Sequence, residues 1–222
     1  MLLPILVGIG FSPAVLRGAD STPDVAEIMQ RARLLQRSQH RVFEGQLRSG
    51  GEKVPFRLVL DGSRVRYEFQ DGRPPLVLTL GERGTTLEVA GDEVRGAKLG
   101  DRVAGTDITY EDLSLKFLFW DLAKIEGEKV ILAGRTSWQI SLLAPRNGRS
   151  QYGSVRVWID KGSGALTRAY CYGRDGKLMR KFEVRSIQKL DDGTWALKQM
   201  RIQAMDGENS RDSSPTYLEL RD

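Results

Sequence analysis

From Val42 onward the apolar residues of this chain recur at every second position, in short runs divided by Asp-Gly and other glycine-bearing turns. A period of two belongs to a strand with one buried face, because successive side chains point to opposite sides. Val54–Leu60 puts Phe56, Leu58 and Leu60 on one side and Arg57 on the other. Arg64–Phe69 sets Val65, Tyr67 and Phe69 against Arg64, Arg66 and Glu68, and Asp61-Gly62 between the two runs is a tight hairpin signal. Similar runs follow at Leu76–Leu80, Thr85–Val89, Lys129–Ala133, Trp138–Leu142, Val155–Ile159, Leu166–Tyr172, Leu178–Ile187, Trp195–Met205 and Pro215–Leu220. About eleven strands, each greasy on one face and charged on the other, read as a continuous antiparallel meander. So many strands curl or close rather than stay flat. The expected fold is mainly β with α (α+β): a curved, half-open antiparallel barrel with two or three helices covering its concave face.

Two stretches break the period. Thr22-Pro23-Asp24-Val25 opens an amphipathic helix, with Thr22 as cap, Pro23 at the first helical position, and Val25, Ile28, Met29, Ala32 and Leu35 as its apolar stripe. Gly105–Trp120 is the most apolar run downstream of the N-terminal segment and reads as a short helix between two series of strands. Thr109 is its N-cap, and Asp112 three residues on completes a capping-box pattern. Leu113, Phe117 and Trp120 fall on one helical face, and Leu115, Leu118 and Phe119 widen it. A helix apolar on nearly all sides is either buried or closes something apolar.

Leu2–Leu16 is almost wholly apolar, too short to span a bilayer comfortably, and followed by small-residue cleavage options after Ala14 and Ala19. No Lys or Arg precedes the run. Residues 1–19 are expected to be a signal peptide and 20–222 a single exported domain, soluble in a bacterial periplasm. No cysteine lies near the cleavage options, so the chain is not itself expected to carry a lipid anchor.

Chemistry is scarce. One cysteine (Cys171) and one histidine (His40) among 222 residues exclude a disulfide framework and a multi-Cys/His metal site. There is no glycine-rich phosphate loop and no Gly-x-Ser-x-Gly elbow. His40 has no motif to pair it with a nucleophile, Cys171 reads as a small buried thiol, and Asp107, Glu111 and Asp112 suit helix capping better than paired-carboxylate catalysis. No enzyme, cofactor or metal is expected. The net charge of +5 is mild and spread along the chain, which favours anionic surfaces without arguing for nucleic acid. It thickens only at Arg174–Lys189, where Arg174, Lys177, Arg180, Lys181, Arg185 and Lys189 face Asp175 and Glu183. A solvated strand face is the ordinary reading of this band. The alternative is a docking surface formed by Lys177, Arg180, Lys181 and Arg185 with Trp158, which shares an outward face with Arg156 and Asp160. Arg180 is odd in sharing its strand face with Leu178, Phe182 and Val184, where an arginine snorkels to a rim or holds a polar head group.

With the segments placed, the chain resembles the LolA-like outer-membrane lipoprotein-sorting proteins. The resemblance rests on Gly105-Thr106-Asp107-Ile108-Thr109-Tyr110-Glu111-Asp112-Leu113, on Trp138-Gln139-Ile140 ahead of Pro145, and on Tyr152-Gly153-Ser154-Val155-Arg156-Val157-Trp158-Ile159-Asp160. Asp175-Gly176-Lys177 leading to Lys181-Phe182, and Trp195 with Met200-Arg201, extend it over most of residues 24–220. It implies an apolar cavity between sheet and helices that shelters acyl chains of lipoproteins in the periplasm. The expected lining is Phe56, Leu58, Tyr67, Phe69, Trp138, Ile140 and Leu142, with Leu113, Phe117 and Trp120 covering it. Expected partners are an acylated lipoprotein or lipid, an inner-membrane transporter and an outer-membrane acceptor, with the carrier itself a monomer. The rival reading is an envelope interaction or stress-sensor module with the same fold and a largely filled interior.

Overall fold

The computed structural model describes residues 23–222 apart from 38, 82, 83, 133, 147–149 and 211–213. The expected signal segment and the expected cap at Thr22 therefore lie outside the described residues. The first helix, α1, runs Val25–Arg37 and begins two residues after Pro23, the expected first helical position. Asp24 takes the cap position: its carbonyl accepts from the amides of Glu27 and Ile28, and its carboxylate from that of Ala26. Ile28, Met29 and Ala32 are buried, while Leu34 on the opposite face is exposed.

All described strands pair antiparallel. They are β1 (His40–Ser49), β2 (Glu52–Asp61), β3 (Arg64–Phe69), β4 (Leu76–Leu80), β5 (Thr85–Val89), β6 (Asp92–Glu93), β7 (Leu122–Leu132), β8 (Arg135–Leu143), β9 (Ser154–Asp160), β10 (Leu166–Tyr172), β11 (Leu178–Lys189), β12 (Trp195–Asp206), β13 (Asn209–Ser210) and β14 (Thr216–Arg221). The two-residue strands β6 and β13 are additions to the sequence-based set. They are too short for any alternation to reveal. β7 starts seven residues before its expected Lys129, because its first half alternates charged and apolar residues on an edge with little to bury.

The strand order is β6-β5-β4-β3-β2-β1-β14-β12-β11-β10-β9-β8-β7. It is two meanders rather than one, and the last strand joins them by slotting between β1 and β12. Leu47 pairs with Leu218, and Met200 with the same Leu218. That closure is non-local and carries no signal in spacing. Where β1 crosses β2, Gly45 lies opposite Phe56, and a Cβ on Gly45 would sit 2.6 Å from the Phe56 ring and 2.9 Å from the Glu219 carbonyl. The glycine lets the ring lie flat on the strand.

The two faces of the sheet differ sharply. Phe43, Leu47, Phe56, Leu58, Ile140, Leu142, Val155, Val157, Phe182, Ile202 and Leu218 share one buried cluster with Ile28, Met29, Ala32, Leu113, Phe117, Leu118, Phe119 and Trp120. The other face is held by charge: Glu219 accepts from Arg48, Gln46 and Gln199, and Glu183 lies within 3.5 Å of both Arg168 and Arg201.

Candidate functional site

The site is the covered apolar face together with the segment that covers it. Gly105–Trp120 is not one helix. It is a five-residue helix, α2 (Tyr110–Ser114), then Leu115 in the left-handed region at φ +45°, then a 3-10 turn at Lys116–Phe119. The helical spacing of Leu113, Phe117 and Trp120 is thus broken, yet all three are buried, because the kink turns the second half back onto the sheet. The apolar pattern was wide enough to be buried in either conformation. A left-handed leucine costs on the order of 1 kcal/mol, and surrounding contacts must hold it.

Those contacts begin with the loop before α2. The Val103 amide donates to the Ile108 carbonyl, the Tyr110 amide to the Asp101 carbonyl, and the Thr106 hydroxyl to the Val103 carbonyl. The tight loop delivers Thr109 as a true capping box: its hydroxyl accepts from the Asp112 amide, and the Asp112 carboxylate accepts from the Thr109 amide at 2.9 Å. The same carboxylate accepts from the Tyr152 hydroxyl and stands 3.2 Å from Nε of Arg180 on β11. Burial first, and then the neighbouring Asp112 charge, push the Tyr152 hydroxyl well above its ordinary range, so it stays a proton donor. Glu111 accepts from the Ser150 hydroxyl and the Gln151 amide, and Gln151 in turn donates to Thr109. Burial raises the Glu111 carboxyl. Beyond Leu115, Phe117 packs against Phe182 with ring centres 6.2 Å apart. Arg33 of α1 donates to the Leu118 carbonyl at 2.6 Å and lies over the Phe119 ring.

Phe56, Leu58, Tyr67, Leu113, Phe117, Trp120, Ile140 and Leu142 are all buried in the one cluster, with Phe69 and Trp138 half-buried against it. Phe56 meets Tyr67 and Phe69 edge-on at 5.3 and 6.3 Å. Trp138 stands at a rim, with the Lys161 ammonium 3.4 Å from its ring centre. In this conformation the central segment packs into the same buried cluster as the inward residues of the sheet.

Two expected surface positions are corrected. Arg180 is not on a surface; it is 8% exposed and points inward to Asp112. Trp158 does lie on the outer face but is 7% exposed, covered by Tyr170 edge-on at 4.9 Å and by the Arg168 guanidinium. Long side chains on a charged face can roof an aromatic, which alternation alone does not reveal. Lys177 and Arg185 are exposed and Lys181 half-buried, the last lying over Tyr170. Two contributors went unread in the sequence. Tyr152 anchors Asp112, and Asp160 receives a two-pronged Arg135 and the Ser163 hydroxyl and amide. Burial works to raise Asp160, but those bonds outweigh it and hold the carboxyl at about 2.

Among the described residues, no group of three or more His, Cys, Asp and Glu side chains is arranged to hold a metal. No described helix is long and apolar enough to cross a membrane. Cys171 is fully buried, and burial raises its thiol well above the ordinary value. His40 is exposed and pairs with Asp61 at 3.0 Å.

No curated protein sequence matches the chain. Solved structures do match it in shape. A domain named for outer membrane lipoprotein sorting, from Vibrio parahaemolyticus, aligns over 88% of this chain and 89% of its own, with TM-score 0.68 and 16% identity. A DUF1329 family protein from Desulfovibrio piger aligns over 90% and 92%, with TM-score 0.66 and 18% identity. A LolA superfamily protein from Nitrosomonas europaea aligns over 90% and 93%, with TM-score 0.62 and 11% identity. A family model described as "-like: Uncharacterized protein" matches residues 92–220, more than half of the chain. The chain therefore belongs to the family of that model, a family with the LolA-like fold.

Proposed function

We propose that this protein is a periplasmic carrier that shelters acyl chains, such as those of lipoproteins bound for the outer membrane, between its sheet and the central segment. One observation carries the reading: the concave face is lined largely by apolar side chains, and much of its cover is a segment outside the sheet, kinked at Leu115 and tied down by one polar cluster. The magnitudes suit exchange. Displacing Phe117, Leu118 and Trp120 sacrifices packing of about 3–5 kcal/mol per large side chain. An acyl chain of about a dozen methylenes recovers roughly 0.8 kcal/mol for each one buried, so loading and release are nearly balanced. The N-terminal signal would place the carrier between the two membranes, handing cargo from an inner-membrane transporter to an outer-membrane acceptor. No catalytic role is proposed. The test is native mass spectrometry of protein purified from its own periplasm. A retained acylated mass, lost on Trp138→Asp at the half-buried rim, supports the carrier; a bare chain from every preparation counts against it.

The packing of the central segment into the buried cluster favours one second reading, an envelope interaction module that docks through its basic outer face. Charge reversal at Lys177 and Lys181 would then abolish partner capture without altering lipid retention.

A further inference from the structure

At the end of the covered face, where α2 meets β11, lies a small cavity of about 160 Å³ lined by Gly100, Arg102, Asp107, Thr109, Gln151, Tyr152, Met179, Arg180 and Ala204. Its lining is mostly polar, unlike the buried cluster beside it. The acceptors here are already engaged. Asp112 accepts from Thr109 and Tyr152, and Asp107 pairs with Arg102 at 3.1 Å. The donors are not. Arg180 carries five N–H bonds on a side chain only 10% exposed, and neither its Nε nor its Nη1 makes a hydrogen bond. The Asp112 oxygen 3.2 Å from Nε supplies charge without hydrogen-bond alignment. Buried, unspent donors of a guanidinium are rare in folded proteins, because each costs more than a typical hydrogen bond contributes.

The charges of the site cancel, two arginines against Asp107 and Asp112, so a further anion gains little Coulomb energy there while losing its hydration. A neutral oxygen acceptor spends the free N–H groups without that cost. The volume takes a fragment of several heavy atoms, not a chain. Met179 and Ala204 give it an apolar side, and Arg180 shares its strand face with Phe182, which packs on Phe117.

We propose that this cavity is the head-group subsite of the carrier: Arg180 donates to an ester or amide carbonyl at the head of an acylated ligand, whose chains run from there into the apolar interior. The inference rests on the carrier reading and names its ligand class. It assigns the carbonyl-bearing linkage, rather than a charged head, as the polar feature recognised.

The experiment uses the full mature chain and two uncharged probes, dioctanoylglycerol and the dioctylglycerol diether, which differ in the two carbonyls. Competition against a fluorescent acyl probe reads their affinities, with octanoate as the anionic comparison. The expected result is that ester binds at least roughly tenfold tighter than ether, the lower end of what one hydrogen bond from a charged donor contributes. Arg180→Lys, which keeps a charge facing Asp112 but loses the fork, should bring the ratio to about twofold or less by losing ester affinity alone. Equal affinity for ester and ether in the wild-type chain overturns the subsite and leaves the carrier standing. A preference for octanoate over ester, or a full ester advantage surviving in Arg180→Lys, also overturns it. Binding of none of the probes removes both the subsite and the carrier reading.

Discussion

Replacing Asp112 by Asn should destabilise the protein more than any other isosteric change to a polar side chain near the central segment. The carboxylate closes the capping box with Thr109, accepts from the Tyr152 hydroxyl, and faces Arg180. Asparagine keeps the shape and one acceptor oxygen. It removes the charge, so the buried Arg180 loses its nearest counter-charge, a loss of about 3–5 kcal/mol. It also turns a hydrogen bond to a charged group into a neutral one, where bonds to charged groups contribute about 1.5–3 kcal/mol. The two losses overlap, because both count the same desolvated charge, so about 4 kcal/mol is expected in total. That is a large part of the 5–15 kcal/mol typical of a whole domain, and for a chain of this size it lowers Tm by roughly 8–16 °C. Urea unfolding followed by tryptophan fluorescence reads it directly. The double variant Asp112→Asn with Arg180→Met removes both charges, and its cost should fall short of the sum of the singles by about 2 kcal/mol. A single-variant cost below about 1 kcal/mol, or strict additivity in the double variant, would refute this role of Asp112.

Phe117→Ala should cost about 3–5 kcal/mol in the ligand-free protein, since a fully buried ring is lost. The same change should tighten binding of an acyl probe, because less packing must be displaced; equal or weaker probe affinity would argue that the segment is plain core. Gly45→Ala should destabilise by roughly 1–3 kcal/mol, as overpacked sites do, because its Cβ would meet the Phe56 ring and the Glu219 carbonyl; a urea midpoint unchanged from wild type would show that the ring moves freely. Acid should weaken the fold through Asp160 and Glu219, both held at about 2 against ordinary values of 3.8 and 4.5. Burial opposes both shifts, but hydrogen bonds to Arg135 and Ser163 in one case, and to Arg48, Gln46 and Gln199 in the other, outweigh it. Their stabilisation is present above the unfolded values and is lost as pH falls through about 2; Asp160→Asn should flatten that part of the curve, and an unaltered acid slope would discount the pair.

The strands were legible because most of them bury alternate side chains over at least part of their length, as β2, β4 and β14 do, and alternation is what a sequence displays. The capping box was legible for a similar reason, since Thr109 and Asp112 act over three residues. The kink at Leu115 was not: nothing in a leucine announces a left-handed backbone, and the conformation is imposed by Phe117 and Leu118 turning back onto the sheet. The insertion of β14 between β1 and β12 joins residues about 170 apart in number, as in Leu47 with Leu218, and no local pattern encodes it. Arg180 was recognised as out of place on an apolar face, but its partners Asp112 and Tyr152 lie on other elements, so only the fold could show that it points inward. Trp158 was misjudged because its cover comes from Arg168 and Tyr170 on the neighbouring strand.

In the carrier reading, acyl chains occupy the concave face in place of the central segment. Photo-crosslinking with a diazirine-bearing fatty acyl probe, followed by peptide mass spectrometry, tests it most directly. Labels are expected on inward residues of the sheet such as Phe56, Ile140 and Leu142, competed away by unlabelled lipid. Labels confined to the charged outer face around Glu183 and Glu219, or none that compete, would contradict it.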